Sequence, residues 1–435
     1  MIRKVIHFRD MESLRHDLLA LKDSRDVNSV QTIFFQIHTT VLDEEKLKPV
    51  VDAVAEIFPD VPWMGNSTSG NIVDSELGSE IVITATLFED LSTKFKIFQY
   101  DMQKMQVDDI AKSVLAEAKA NSWVKGIEIY YTIPSTSTTR FCDALEDLDP
   151  NIQVFGGIVC SPDLNSPDSL VFSSVGGFCR SGILVAFYGG VNFYLNAIKI
   201  SGWQPLGRTF QVTRALGSIV YELDGMPAYE VYRKYLNIEN DENFFMNVLE
   251  FPMFYEHNGT TIVRVPSECR FDGSLVMSSD MEVGSMVRLS YGEPNTIVEC
   301  IENEGKQIDR FYPEVVHIFS CAARKAFWST REPTYEIYSL KKIASNSGFF
   351  SHGEFLREKG HLNQHNVTLV MAGMREGEPH VNSRHFSQLL DEKASSKLPL
   401  AARMATFIQE ASKDLENMNQ KLQQMNERLQ KPSDK

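Results

Sequence analysis

The stretch Trp63 to Ile72 reads WMGNSTSGNI: an aromatic, a methionine, then small polar residues held between Gly65 and Gly70. Small residues let a ligand approach the main chain closely, and successive amides in a tight turn make a concavity for an anion. Turns use the same residue types for purely local reasons. Recurrence of the pattern decides its weight. Working outward, Val30 to Ile37 (VQTIFFQI) is a β-rich run, and Asp43 to Phe58 (DEEKLKPVVDAVAEIF) is amphipathic with an acidic start, hence a helix. After the small-residue turn come Glu80 to Phe88 (EIVITATLF) and Lys94 to Tyr100 (KFKIFQY), alternating runs joined by EDLST that predict a hairpin. A helix is predicted over Asp108 to Ala120.

The order then repeats. Gly126 to Thr132 reads as a strand, Thr138 to Leu145 as a helix, Val154 to Pro162 (VFGGIVCSP) as a small-residue turn, and Ile183 to Ile200 as a hairpin. A third echo is GFFSHG at Gly348 to Gly353, which shares the G-x-x-S-x-G outline with GNSTSG and precedes the apolar run Thr368 to Ala372. The predicted fold is mixed α/β, with largely antiparallel sheets, packed helices and a repeated strand–helix–loop–hairpin unit. Around Trp203 to Gly217 the composition shifts to Gln, Pro, Gly and Thr, dividing a half at 30–217 from one at 218–380, with an N-terminal extension at 1–29. In the second half DGMPAYEVYRKYL reads as a turn and short helix with Pro227 near its start. A helix near Asn295 to Glu304, the strand Val315 to Phe319 running into SCAARKAFW, a helix at Glu332 to Ser345 and the GFFSHGEF turn follow.

Bulk properties exclude several classes. The 435 residues are 43% hydrophobic and 23% charged, the balance of a globular protein, and the net charge of −15 disfavours nucleic acid and anionic membrane surfaces as partners. Six scattered cysteines without a C-x-x-C predict reduced thiols in a cytoplasmic protein. MIRKVIHFRDMES at the N-terminus lacks the apolar core of a signal peptide. Ser181 to Ile198 carries no charge, but Gly189-Gly190 at its centre, with Asn192 and Asn196 beyond, predicts a buried hairpin and not a spanning helix.

The tail differs in kind. Met404, Ile408, Ala411, Leu415, Met418, Leu422, Met425 and Leu429 alternate in gaps of four and three, a heptad seam between polar residues. That period predicts a dimeric coiled coil over 400–431, after a linker at 381–399 and before a short tail at 432–435.

Several stretches in order, WMGNSTSGNI, FGGIVCSPD, DGMPAYEVYRKYL, EVGSMVRLSYGEPNTIV, VVHIFSCAARKAFW and GFFSHGEF, together resemble the FIST domain, a sensory module named for F-box and intracellular signal transduction proteins. The resemblance spans roughly Val30 to Gly373 and covers both parts of the family, so the two halves correspond to FIST N-terminal and C-terminal domains. MATFIQEASKDLEN resembles the connector that follows FIST domains in bacterial signalling proteins, ahead of a diguanylate cyclase or histidine kinase domain. No GGDEF-type motif, kinase nucleotide-binding sequence or F-box-like segment is found, and the sequence stops at KPSDK. The resemblance therefore implies a non-enzymatic sensor of a small ligand, with amino acids or related metabolites as suspected ligands; its output domain acts in trans, or has been lost or cut away. No cofactor is implied.

A free amino acid needs a cation or amides for its carboxylate and a carboxylate or carbonyls for its ammonium. Arg324 in SCAAR can grip a carboxylate through its planar fork, and Glu354 in SHGEF can accept the ammonium. Asn66, Ser67, Thr68 and Ser69 offer hydroxyls and amides from the first loop; Cys160 and Ser161 stand in the second, and Ser320, Cys321 and His352 line the ligand site beside the other candidates. Against this stands simple ion pairing of Arg324 and Glu354. Cys321 with His352 suggests a cysteine hydrolase instead, although a cysteine ending an apolar strand is usually a core residue. A third reading is a ligand-free interaction scaffold built on the coiled coil. His361 and His365 are spaced to share a helix face, without the Glu of a zinc-protease motif, and GNSTSG lacks a P-loop's Gly-Lys-Ser/Thr ending. Neither a metal nor a nucleotide is expected.

Overall fold

Why three separate small-residue segments carry a glycine becomes plain from the strand register. The computed structural model describes residues 1–30, 32–133, 137–164, 166–328, 335–379 and 400–430. Two compact units result, one from Met1–Ser201 with Val298–Ser387, the other from Gly202–Ile297 with Gln388–Lys435.

Strand Ile2–His7 (β1) and helices Met11–Lys22 (α1) and Arg25–Ser29 (α2) come first. The first repeat holds Thr32–Thr39 (β2), Glu44–Ile57 (α3), Trp63–Ser67 (β3), the small hairpin Asn71–Val73 (β4) and Glu76–Leu77 (β5), then Ile81–Phe88 (β6) and Lys94–Asp101 (β7). The second holds Val107–Ala120 (α4), Val124–Tyr131 (β8), Thr139–Asp143 (α5), Gln153–Ile158 (β9), the hairpin Val171–Ser173 (β10) and Gly177–Cys179 (β11), then Gly182–Gly189 (β12) and Phe193–Ile200 (β13). An insert follows with Gln204–Leu216 (β14), Ile219–Leu223 (β15), Met226–Pro227 (β16), Tyr229–Leu236 (α6), Phe244–Leu249 (α7), Met253–His257 (β17), Thr260–Arg264 (β18), Pro266–Cys269 (β19), Leu275–Met277 (β20) and Met286–Tyr291 (β21). Helix Pro294–Phe311 (α8) leads to the third repeat: Val315–Cys321 (β22), Ala322–Phe327 (α9), a 3-10 turn at Tyr335–Lys342, Ser345–Ser351 (β23), the hairpin Gly353–Glu358 (β24) and His361–His365 (β25), and Leu369–Glu376 (β26). Leu400–Gln430 (α10) is the last helix among the described residues.

Each repeat pairs two strands in parallel, β2 with β3, β8 with β9 and β22 with β23. Antiparallel β6, β12 and β26 flank β2, β8 and β22 in turn. The hairpins are exchanged between repeats: β4 pairs β23, β10 pairs β3 and β24 pairs β9. Edge strands shift likewise, β7 onto β12 and β13 onto β26, while β1 takes the equivalent place beside β6. Among the described residues these strands form three interlocked six-stranded sheets, and the strands of the insert form an eight-stranded one. Exchange covers strand edges that would otherwise be open to mispairing.

Gly65, Gly156 and Gly348 face Ile37, Ile129 and Ile318 across the three parallel pairs. A Cβ there would lie 2.6, 2.0 and 1.7 Å from the isoleucine carbonyl oxygen. These glycines therefore permit close strand approach, which corrects the reading of WMGNSTSGNI as a turn: β3 occupies Trp63–Ser67, and only Thr68 to Gly70 lie between it and β4.

Both expected hairpins are also corrected. β6 and β7, and β12 and β13, belong to different sheets, because β12 already has β7 and β8 on its two edges. Alternating apolar runs around a glycine turn fit either arrangement. His361 and His365 lie on a strand, not a helix, and the expected helix at Glu332 to Ser345 is, within its described part, a 3-10 helix over Tyr335–Lys342. The 1–29 segment is integral: β1 pairs along β6, and Leu14 and Leu18 of α1 enter a core with α3 residues Leu47, Val50 and Val54. The linker expected at 381–399 lies outside the described residues.

The inner faces of the sheets share one core, including Phe34, Met64, Phe155, Leu184, Phe319 and Phe349. A second core lies under α1 and α3, and a third under α4, where Ile110 and Val114 meet Ile127 and Ile129. Each such fully buried side chain contributes about 1.5–3 kcal/mol. The insert has its own core of Phe210, Tyr232, Tyr255, Leu275 and Leu289. Among the described residues, no helix is long and apolar enough to cross a membrane.

Candidate functional site

Parallel pairing brings β3, β9, β22 and β23 to a common end, where the chain leaves each strand. Thr68 Oγ1 donates to the Phe350 carbonyl at 2.8 Å, and the Phe350 amide returns a bond to the Gly70 carbonyl at 2.9 Å. Cys160 Sγ donates to the same Phe350 carbonyl at 3.4 Å. Lys325, on the short helix after β22, donates from Nζ to the Ser69 carbonyl and stands 5.4 Å from the Phe350 ring centroid. The His352 amide donates to the Ile158 carbonyl at 2.7 Å. So the small-residue segments of all three repeats converge.

Beneath them Glu354 is fully buried, accepting from Ser351 Oγ at 2.7 Å and from Thr368 Oγ1. Burial pushes its carboxyl up to about 8, against the opposing pull of those hydroxyls and of Arg324. It therefore carries its proton at neutral pH and is no ready acceptor for an ammonium, a correction to the expected role. Arg324 is corrected too. Its Nε and Nη2 grip Glu336 at 2.9 and 2.7 Å, and its Nη1 serves the carbonyls of Ser201 and Val367. The fork expected to hold a ligand is thus spent on a buried ion pair.

The remaining expected residues divide. Ser69, Cys160 and Ser161 sit at the strand ends, nearly buried, while Lys325 and His352 are partly exposed. Asn66 does not join them: it accepts from His38 Nδ1 at 2.7 Å in the interior between the sheets. Ser67 Oγ accepts from the Leu170 amide at 2.8 Å, fixing the exchanged hairpin, and Ser161 Oγ accepts from the Asp163 amide at 3.2 Å in a local turn. Ser320 Oγ is buried without a partner among the described residues, and its carbonyl accepts from Ser351. Burial pushes the Cys321 thiol far up and the His352 imidazole down, and among the described residues no hydrogen bond joins them. A cysteine nucleophile needs a readily formed thiolate, so this geometry does not support the hydrolase reading. Among the described residues, no three His, Cys, Asp or Glu side chains group as a metal site.

The model of the FIST N domain matches residues 33–226, and that of the FIST C domain matches residues 228–357. The chain belongs to the FIST family. The FIST N match takes in the first two repeats and the opening of the insert, and the FIST C match runs from there into β24. FIST domains are sensory domains that bind small ligands in signalling proteins. An uncharacterized protein of Methanocaldococcus jannaschii is 23% identical over 374 residues, 77% of this chain and 68% of its own. Among solved structures, T. maritima PurL complexed with ATP aligns over 85% of this chain and 69% of its own at 10% identity, with a TM-score of 0.16 too low to bear on the FIST fold.

Sequence reasoning missed Lys325, Ser351 and Thr368. Lys325 directly follows Arg324 and is the cation that reaches the FIST strand ends, whereas its neighbour turns inward. Thr368 was visible only as the start of an apolar run.

Proposed function

We propose that this FIST protein is an intracellular sensor that takes a small carboxylate-bearing metabolite, such as an amino acid, at the strand ends, with Lys325 as the partner of the carboxylate. The observation that carries this reading is the convergence of the three small-residue segments around one partly exposed cation. Burial lowers the Lys325 pKa. A bound carboxylate would offset that effect, so binding strengthens the charged form. Ser69, Ser161 and His352 supply the surrounding polar groups, and Cys160 and Thr68 hold the Phe350 main chain that shapes the site.

Occupancy would pass to a second copy through α10. Met404, Ile408, Leu415, Met418 and Leu422 are 41–60% exposed along one heptad seam, a stripe that a parallel partner helix would cover. The ligand must favour one arrangement by differential affinity of about 1–3 kcal/mol to act as a signal. A cyclase or kinase acting in trans would read the change.

Thermal melts against the proteinogenic amino acids and simple carboxylates test the reading. At least one ligand should raise the midpoint in a saturable manner, Lys325→Ala should remove that rise, and Lys325→Arg should keep part of it. A panel that leaves the midpoint unchanged throughout refutes a carboxylate sensor.

A further inference from the structure

Gln36, Glu128 and His317 occupy equivalent places in the three repeats, each one residue before the isoleucine that faces a strand glycine. All three are buried in the interior shared by the sheets. Replacing such groups by apolar side chains is often neutral or stabilising, so their presence asks for another reason. Glu128 is saturated. Its Oε1 accepts from Gln36 Nε2 at 3.0 Å, Tyr130 OH at 2.9 Å and His317 Nδ1 at 3.3 Å, and its Oε2 accepts from Tyr188 OH.

Arg3 enters the same space from β1. Its Nη1 donates to the Val316 carbonyl at 2.7 Å, which fixes the guanidinium. Among the described residues its Nε and Nη2, the edge that grips an oxyanion side-on, are buried without a partner. Two register neighbours share this condition: Thr86 Oγ1 beside Arg3, and Ser347 Oγ beside His317. So does His317 Nε2. Buried polar atoms are almost always hydrogen-bonded, so this many unpaired together mark a site built for something.

We propose that this interior binds a small monoanion, of the size of chloride, nitrate or formate, held by the Nε–Nη2 edge of Arg3 with Thr86, Ser347 and His317. Among the buried groups Arg3 and Glu128 balance one another in charge, with Asp74 half-buried beyond them, so an entering anion leaves one buried negative charge uncompensated. A proton on Nε2 of His317 restores the balance and turns that nitrogen into a donor. The charged and titratable groups around His317 are Glu128 and Arg3, with His38, Tyr130 and Tyr188 in the same cluster and Asp74 facing Arg3. Anion binding therefore takes up a proton, and affinity rises as pH falls, by at most about tenfold per pH unit.

This site is separate from the strand ends. Tyr130, Phe319 and Phe349, whose rings lie 5.3–6.3 Å apart, stand two residues further along the strands or beside those positions. Crystals of the full chain grown from sodium bromide supply the direct test. The expected result is an anomalous peak within hydrogen-bond distance of Arg3 Nε and Nη2. In solution, bromide and nitrate should raise the thermal midpoint beyond sodium gluconate at equal ionic strength. His317→Asn should flatten the pH dependence of that rise. No peak at Arg3, with a midpoint that follows ionic strength whatever the anion, would mean that water alone fills the interior and overturns the proposal. Because the diffraction test uses the unsubstituted protein, failure of a variant to fold does not obscure it.

Discussion

Replacing Glu354 by Gln keeps the size and hydrogen-bonding reach of the side chain while removing its titration. The carboxyl lies at about 8 in the folded protein against an ordinary 4.5. Between those values the folded state holds a proton that the unfolded state releases, so stability falls as pH rises through that window. Across it, stability changes by about 1.4 kcal/mol for every pH unit. The native carboxyl therefore destabilises the fold, relative to an amide in the same place, by about 3 kcal/mol at pH 7 and by less than about 1 kcal/mol at pH 5. Ser351 and Thr368 can each rotate a hydroxyl to accept from the amide, so the substitution leaves no orphaned group. Urea unfolding of both proteins from pH 5 to pH 8.5 reads the difference. Expected is a Glu354→Gln protein that is the more stable at neutral pH, with the two curves converging towards pH 5. Parallel curves, or a variant less stable at pH 8, would show that Glu354 is ionised in the fold and that burial does not dominate its titration.

Arg324→Ala should destabilise the protein by about 3–5 kcal/mol, because Glu336 would be left buried and unpaired, whereas Arg324→Met with Glu336→Leu should cost much less. Differential scanning calorimetry of the single and double variants checks this. Gly348→Ala places a Cβ 1.7 Å from the Ile318 carbonyl oxygen and should lower stability by upwards of about 3 kcal/mol; soluble yield and melting midpoint report it. Gly360→Ala, with open space around its Cβ but φ of +90°, should be milder. Removing residues 400–435 should convert a dimer to a monomer in sedimentation velocity, and a full-length monomer would end the helical relay.

The repeat was legible because each copy carries the same obligations. A parallel pair that approaches closely needs a glycine against the isoleucine carbonyl, and that glycine stands out in WMGNSTSGNI, VFGGIV and GFFSHG. What period and punctuation do not encode is which sheet a strand joins. Val185 on β12 and Ala197 on β13 lie in runs that read as one hairpin, yet the chain passes between them from one sheet to another. The candidate site was half legible for a similar reason. Thr68, Ser69 and Cys160 are marked by small size next to buried strands, and they do meet. Arg324 and Lys325 are indistinguishable as cations in SCAARK, and only the helical turn after β22 decides that the first is locked to Glu336 and the second reaches Ser69. The interior ring of Gln36, Glu128 and His317 went unnoticed because three different residue types conceal a shared position.

The sensor stands or falls on a difference map from crystals soaked with whichever amino acid or carboxylate raises the melting midpoint furthest. The ligand's carboxylate should lie within hydrogen-bond distance of Lys325 Nζ, with Ser69 and His352 alongside. A well-ordered ligand bound elsewhere, with the strand ends unchanged, would remove Lys325 from the binding site and the sensor reading with it.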